Sequence, residues 1–307
     1  MTKLKKFFLI SYNLFIIVLT IILIRNFPTS LTGHHSVYDP FIEQILNSAE
    51  LDKPIRTNSY GFKDYEWNIT KPNNTIRIIA LGDSFTEGFG VDVNETWPKQ
   101  LEAMLNNLNL SVRFEVFNMG QGGWGTYEEV EAFKIIGLQF EPDIVILQYH
   151  GNDFETPEFD KEIERLVNEY LNGEQDIPEY VEEAFEKTED EYVLYIYFTY
   201  VYFKDKDFDS VWSKNVEPYL RELVDLLKKE DIEFVMFAVD FGSQTKYDLL
   251  SDFAEKQGID IYNFNDLLSP PSCPSDTRLP DCHPNPHGHK LIAERLLPLV
   301  LEKLKLV

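Results

Sequence analysis

Between residues 76 and 305, short apolar runs alternate with stretches of helical periodicity, and this limits the fold more than any other feature of the chain. The apolar runs are Ile76–Leu81, Val112–Phe117, Ile144–Leu147, Phe234–Val239 and Ile259–Tyr262. They are continuous instead of alternating with polar residues, the pattern of strands buried on both faces. Helical spacing is read at Trp97–Leu108, near 125–137, and at Asn215–Lys229, Tyr247–Gln257 and His287–Leu304. In the first of these, Trp97, Leu101, Met104, Leu105 and Leu108 share one face. Strands alternating with helices predict a parallel sheet covered on both sides, a three-layer α/β/α sandwich. Such sheets carry their sites at the C-terminal ends of the strands.

Two segments fall outside the alternation. Lys3, Lys5 and Lys6 precede an apolar stretch from Phe7 to Ile24, close to the length a bilayer-spanning helix needs. It runs on as Arg25-Asn26-Phe27-Pro28 without a small-residue cleavage site, so residues 1–25 are expected to be an uncleaved signal anchor, a transmembrane helix, not a removed signal peptide. Lysines before the span and an arginine after it predict the N-terminus inside and the rest periplasmic or extracellular. Residues 26–75 read as a polar juxtamembrane segment, and 76–307 as the folded domain. That domain is interrupted by an insertion over 155–209, acidic in its first part and then aromatic from Tyr192 to Phe203. The aromatic run is apolar nearly all round, so a helix here would be buried or face a partner; its residues also favour strand. The insertion is expected to pack over or beside the site, or else to form an interface.

The formal net charge of −24 argues against a nucleic-acid partner, because such a surface repels phosphates. The two cysteines, Cys273 and Cys282, could close a short loop in an exported domain, or be unrelated thiols.

Four clusters could carry chemistry. Ser84 follows the first strand and precedes a turn with Gly88 and Gly90, which would expose its hydroxyl at the sheet's edge. A hydroxyl needs an adjacent base to become a nucleophile, and a capping serine is the plainer reading. The Gly-x-Ser-x-Gly elbow is absent, since Phe85-Thr86 follow Ser84. The loop Asn118-Met119-Gly120-Gln121-Gly122-Gly123-Trp124-Gly125 could turn backbone N–H donors toward a developing oxyanion. Asn152, in Tyr149-His150-Gly151-Asn152-Asp153, could donate its amide to the same charge, although Asn-Asp pairs are common in turns. The last cluster, Asp281-Cys282-His283-Pro284-Asn285-Pro286-His287-Gly288-His289, offers His283 as a base on a proline-stiffened loop. Zinc binding is a rival reading of its three histidines, but His287 and His289 at i, i+2 do not share a helix face.

Taken together and in order, these pieces resemble the SGNH (GDSL-like) hydrolase family. Gly82-Asp83-Ser84-Phe85 looks like its first block, Asn118 to Gly123 its second, Asn152-Asp153 its third and Asp281-x-His283 its last. Thr57-Asn58-Ser59-Tyr60-Gly61-Phe62 is similar to the lead-in of membrane-anchored members. The resemblance implies a flavodoxin-like parallel sheet and hydrolysis of acyl esters without metal or cofactor. It implies Ser84 as nucleophile and His283 as base. The Ser84 and Gly123 N–H groups and the Asn152 amide would form the oxyanion hole. The sequence departs from the pattern at Pro280, where the family has its orienting Asp; Asp281 stands two before His283 and takes that place here. It departs again at Gly151, which abuts Asn152. Acylated envelope carbohydrate, O-acetyl esters above all, is the expected substrate. Acyl transfer to a sugar hydroxyl by the same site is the alternative, and an inactive glycan-binding scaffold is another.

Overall fold

The computed structural model describes residues 57–188, 194, 197–199, 201–202, 207–240, 244–268, 275–279 and 282–306. The span expected at Phe7–Ile24, and with it the anchor over 1–25, lies outside the described residues, as do Cys273, Tyr200, Pro280 and Asp281. Among the described residues no helix is long and apolar enough to cross a membrane.

The chain divides into two compact units. The larger takes residues 54–156 and 207–307 and contains the sheet. Its elements are β1 (Thr75–Gly82), α1 (Ser84–Glu87), α2 (Trp97–Asn107), β2 (Arg113–Gly120), α3 (Thr126–Ile135) and β3 (Ile144–Tyr149). Beyond residue 206 come α4 (Phe208–Asn215), α5 (Glu217–Glu230), β4 (Glu233–Ala238), α6 (Gln244–Gln257), β5 (Ile261–Asn263) and α7 (Pro286–Lys303). All pairings are parallel, in the order β2-β1-β3-β4-β5. This is the doubly wound order in which the chain reverses direction across the sheet between β1 and β3.

Alternate residues of each strand enter opposite layers. Ile78 and Ala80 of β1, with Val116, Ile144, Ile146 and Phe237, pack under α2 and α7 through Trp97, Leu101, Leu105, Ile292, Leu296 and Val300. Ile79, Leu81, Val145 and Leu147 are equally buried on the other face, where α3 and α5 lie. Fully burying one such aliphatic side chain is worth about 1.5–3 kcal/mol, so these two layers dominate the unit's stability.

The sheet unit begins earlier than the sequence pattern predicts. Residues 57–74, expected to be part of a juxtamembrane segment ending at 75, are built into it, with Asn58, Phe62, Lys63, Asp64 and Trp67 buried. Trp67 stacks on Phe117 of β2 with ring centroids 4.9 Å apart. The segment also helps to close an open sheet edge. On the outer side of β2, Phe114 N donates to Asn106 Oδ1 (3.0 Å), Val116 N to Glu102 Oε2 (2.6 Å) and Asn118 N to Asp64 Oδ2 (2.9 Å). Side chains thus satisfy the donors that would otherwise template another strand.

Arg77 ties this segment down. It is fully buried in β1, and its guanidinium carries five donors, each with an acceptor. Nε donates to Glu115, Nη1 to the carbonyls of Ile69 and Phe140, and Nη2 to those of Asn68 and Thr70, at 2.7–3.1 Å. The group also lies over the Phe117 ring.

The second unit, which includes Pro157–Lys206, contains among its described residues helices Pro157–Leu171 and Glu179–Thr188. Tyr170 and Phe185 join them through an edge contact, and Phe159 meets Tyr202 at 5.0 Å between centroids. In the aromatic run from Tyr192, every described position is helical, so the strand reading is not realised there.

Replacing Arg77 by Met should strand buried carbonyls and the Glu115 carboxylate, and cost at least about 3 kcal/mol in urea unfolding. Arg77→Lys should recover little of this, because one ammonium cannot span the fork of acceptors.

Candidate active site

The site is assembled at the C-terminal ends of β1, β2 and β3, with one long loop folded back onto them. β1 ends at Gly82, and the single turn α1 begins at once with Ser84. Asp83 caps this turn by accepting from Phe85 N at 2.9 Å. Behind the serine, Thr86 Oγ1 donates to Gln148 Oε1 (2.8 Å) and receives Trp97 Nε1 (3.2 Å). The turn is clamped between β3 and α2. β2 runs so close to it that a Cβ at Gly120 would sit 2.2 Å from Glu87 N, so only glycine fits there.

His283 reaches Ser84 from a loop 199 residues further on; its Nε2 lies 2.9 Å from Ser84 Oγ. The imidazole is buried, with Phe85 and Phe89 against it at 5.4 and 5.0 Å between centroids. The loop is held by bridges pairing Arg278 with Ser275 and Pro284, and by Leu279 N donating to His283 O at 2.8 Å. Arg278 Nη1 donates to Cys282 O (2.7 Å) and to Asp240 Oδ2 (2.9 Å) at the end of β4. Cys282 is disulfide-bonded. Asp281, the expected orienting carboxylate, is outside the described residues.

The other two histidines of that cluster point elsewhere. His287 Nδ1 contacts Asp276 O at 3.1 Å, and His289 Nδ1 accepts from Trp97 N at 3.2 Å inside the core. Three imidazoles with three separate partners do not converge as a metal site requires. Burial, with help from Lys63 and His283, pushes His289 down to about 3, so it is neutral at ordinary pH.

The two remaining predicted groups meet next to Ser84. Residues 121–124 make a tight turn, Trp124 N donating to Gln121 O at 3.2 Å, with Gly123 at φ 78°, a conformation that favours glycine. Gly122 N donates to Glu87 Oε2 at 2.9 Å, and a Cβ on Gly122 would stand 3.9 Å from Ser84 Cβ. The Asn152 carboxamide faces this turn, its Nδ2 lying 3.5 Å from Trp124 O. A hydroxyl on an imidazole, flanked by a glycine turn and an amide, is suited to nucleophilic attack on a carbonyl.

The structure adds a residue that the pattern did not single out. His150 Nδ1 lies 2.8 Å from Asn152 Oδ1 and 3.2 Å from Asp83 Oδ2, and its Nε2 is 4.0 Å from Asp240 Oδ2. Its ring packs on Phe85 at 4.4 Å. Burial opposes its charge, but Asp83, then Asp240 and Asn152, outweigh it and lift His150 to about 9. The same contact holds Asp83 below the ordinary carboxylate value despite its burial. Beneath, Asp153 accepts from Thr126 Oγ1 at 2.8 Å and from His150 N. Burial raises Asp153 to about 7, and burial together with Asp153 holds Glu129 well above the carboxylate range. Its place two before Asn152 does not by itself single it out, because its carboxylate partners come from other strands.

The model of the GDSL-like lipase/acylhydrolase family matches residues 80–291. No curated protein matches the chain. Among solved structures, the acetyl xylan esterase AlAXEase is 15% identical, with 73% of this chain and 100% of that chain covered and a TM-score of 0.47. A lipase/acylhydrolase from Enterococcus faecalis is 14% identical, with 74% and 96% covered and a TM-score of 0.45. A member of the lipolytic G-D-S-L family from Veillonella parvula is 15% identical, with 73% and 97% covered and a TM-score of 0.44. Their identities and TM-scores are too low to bear on substrate.

His289 gives this unit a defined acid sensitivity. The unfolded chain protonates it near pH 6.5 and the folded chain only near 3, so between those values the unfolded state binds the extra proton. Stability from this group is complete above pH 6.5 and falls toward pH 3, with a limiting slope of about 1.4 kcal/mol per pH unit. His289→Gln should lower stability at pH 7 yet flatten this slope in urea titrations from pH 7 to 4; parallel curves for the two proteins would remove His289 as the cause.

Proposed function

Because the chain belongs to the GDSL-like lipase/acylhydrolase family and is a carboxylic ester hydrolase, we propose that Ser84 is its nucleophile and His283 its general base. The observation that carries this assignment is the 2.9 Å contact between His283 Nε2 and Ser84 Oγ. His283 takes the hydroxyl proton as Oγ bonds to the ester carbonyl carbon. The tetrahedral oxyanion is met by the N–H groups of Ser84 and Gly123 and by the Asn152 amide. Collapse breaks the bond to the alcohol, which leaves with the proton from His283, and Ser84 is left acylated. Water then attacks, giving its proton to His283, and the acid departs as Ser84 recovers its hydrogen. We assign Asp281 to accept from the other ring nitrogen of His283, Nδ1, on the strength of its place two residues before it. No metal or cofactor enters the scheme.

The substrate we propose is an O-acyl, in particular O-acetyl, ester on envelope carbohydrate. The location that supports it is itself a proposal: Phe7–Ile24 as a single-pass anchor over residues 1–25, with the rest of the chain outside the cytoplasm. The apolar run supports this, and so does the disulfide at Cys282, since such bonds persist in oxidising compartments.

Ser84→Ala should lower kcat for short acyl esters by about 10⁴–10⁶ with the fold unchanged by circular dichroism. His283→Ala should fall in the same range and Asp281→Asn by less. A Ser84→Ala protein within tenfold of the parent would remove serine from the mechanism. The anchor has its own test: the full-length protein should pellet with membranes and keep Met1, whereas a soluble exported form starting near residue 26 would contradict it.

A further inference from the structure

A hydrolase of this kind needs the Asn152 carboxamide turned the right way round, since its oxygen facing an oxyanion would repel the charge that its nitrogen stabilises. The two ends of an amide have nearly the same shape, so orientation is set by hydrogen-bond partners. Here the partners are unequal. The Trp124 carbonyl can only accept, so the end facing it is Nδ2, but at 3.5 Å the bond is marginal. The strong contact is at the other end, where His150 Nδ1 lies 2.8 Å from Asn152 Oδ1.

We propose that His150 is a positioning residue: its Nδ1–H holds Asn152 Oδ1 and so aims the loosely engaged Nδ2 at the oxyanion. The groups facing His150 fit this assignment. Asp83 Oδ2 lies 3.2 Å from the same Nδ1, so the nitrogen between two acceptors carries a proton. Asp240 faces Nε2 from β4, Phe85 covers the ring, and Asp153 accepts from the His150 backbone N–H. The ring is therefore fixed by contacts from the ends of β1, β3 and β4. Arg278 binds Asp240 from the loop that also carries His283, so base and oxyanion donor are referred to one carboxylate.

This inference rests on the proposed oxyanion role of Asn152, and a double-mutant cycle separates the two. Asn152→Ala should lower kcat by about 10²–10³, as loss of one oxyanion donor does. His150→Leu, which keeps bulk and removes the donor, should lower kcat by about 10–10², with KM for a short acyl ester changed by less than about threefold. Combining His150→Leu with Asn152→Ala should cost no more than Asn152→Ala alone. His150→Asn, whose amide nitrogen falls near the Nδ1 position, should recover most of the loss, and it serves as the test if the Leu protein does not fold. If His150→Leu costs the same factor with and without Asn152, or if His150→Asn is as slow as Asn152→Ala, His150 does not act through the amide. If Asn152→Ala is itself as fast as the parent, the oxyanion role falls, and the part given to His150 falls with it, while Ser84 and His283 stand on their own variants.

Discussion

Everything at the site depends on where β1 sits. The order β2-β1-β3-β4-β5 makes the chain leave β1 toward one side and return on the other. The loops after β1 and β3 therefore part, and a crevice opens at their C-terminal ends. Ser84 stands on one side of that opening and Asn152 on the other. β1 can hold such a turn steady because it is covered on both faces and both edges, with seven of its eight residues buried. Its other end is secured by Arg77, whose five hydrogen bonds gather residues 68–70, Phe140 and Glu115 around one guanidinium.

The two imidazoles beside Ser84 live in opposite surroundings. His283 is set against Phe85 and Phe89, while His150 lies between Asp83 and Asp240. The carboxylate nearest Ser84 in sequence is Asp83, yet its oxygens go to Phe85 N and to His150. A charged carboxylate next to Ser84 would otherwise oppose the negative charge that develops there. Pairing it with His150 cancels it locally, and Phe85 packs at a tilt between the two histidines. In the roles proposed for them, the arrangement separates His283, which must exchange a proton, from His150, which must keep one.

How much of this the sequence discloses follows from the range of each interaction. The strands are legible because burial on both faces leaves a continuous apolar run, as in Ile144–Leu147. Their ends are not, because β2 continues through Asn118, Met119 and Gly120, which read as a loop by composition. Asn118 is held in the strand by its N–H donating to Asp64 and its amide donating to the Glu87 carbonyl, partners that only folding brings to it. Residues 57–74 are polar and aperiodic and so resemble a linker. They are ordered by Lys63 reaching the Gly88 and Val91 carbonyls and Asp64 reaching Asn118, 25 to 54 residues away, and by Arg77 reaching back from β1 to the carbonyls of 68–70. Ser84, His283, Gly123 and Asn152 could be read as chemical types in sequence order. His150 could not, because its meaning comes from Asp83 and Asp240, which only the adjacency of β1, β3 and β4 brings to it.

His283, the proposed base, is the part most exposed to error, since it rides on a loop and not on the sheet. Catalytic groups must be held to about 0.5 Å for useful rates, and a loop closed over 199 residues gains nothing from local structure. This loop is therefore fastened at several points. Arg278 ties it to β4 through Asp240, Leu279 N ties it across its own bend to His283 O, and the Cys282 disulfide restrains the residue before His283. Beyond the base, Asn285 caps α7 by accepting from His287 N and Gly288 N at 3.0 Å, so the helix starts two residues after Pro284. His289 then anchors that helix to the start of α2 by accepting from Trp97 N. α2 in turn packs against the serine turn through the indole of Trp97 and Thr86. The path from His283 to Ser84 thus runs twice, once through the hydrogen bond between them and once through the core beneath. The second path places the first before any substrate arrives.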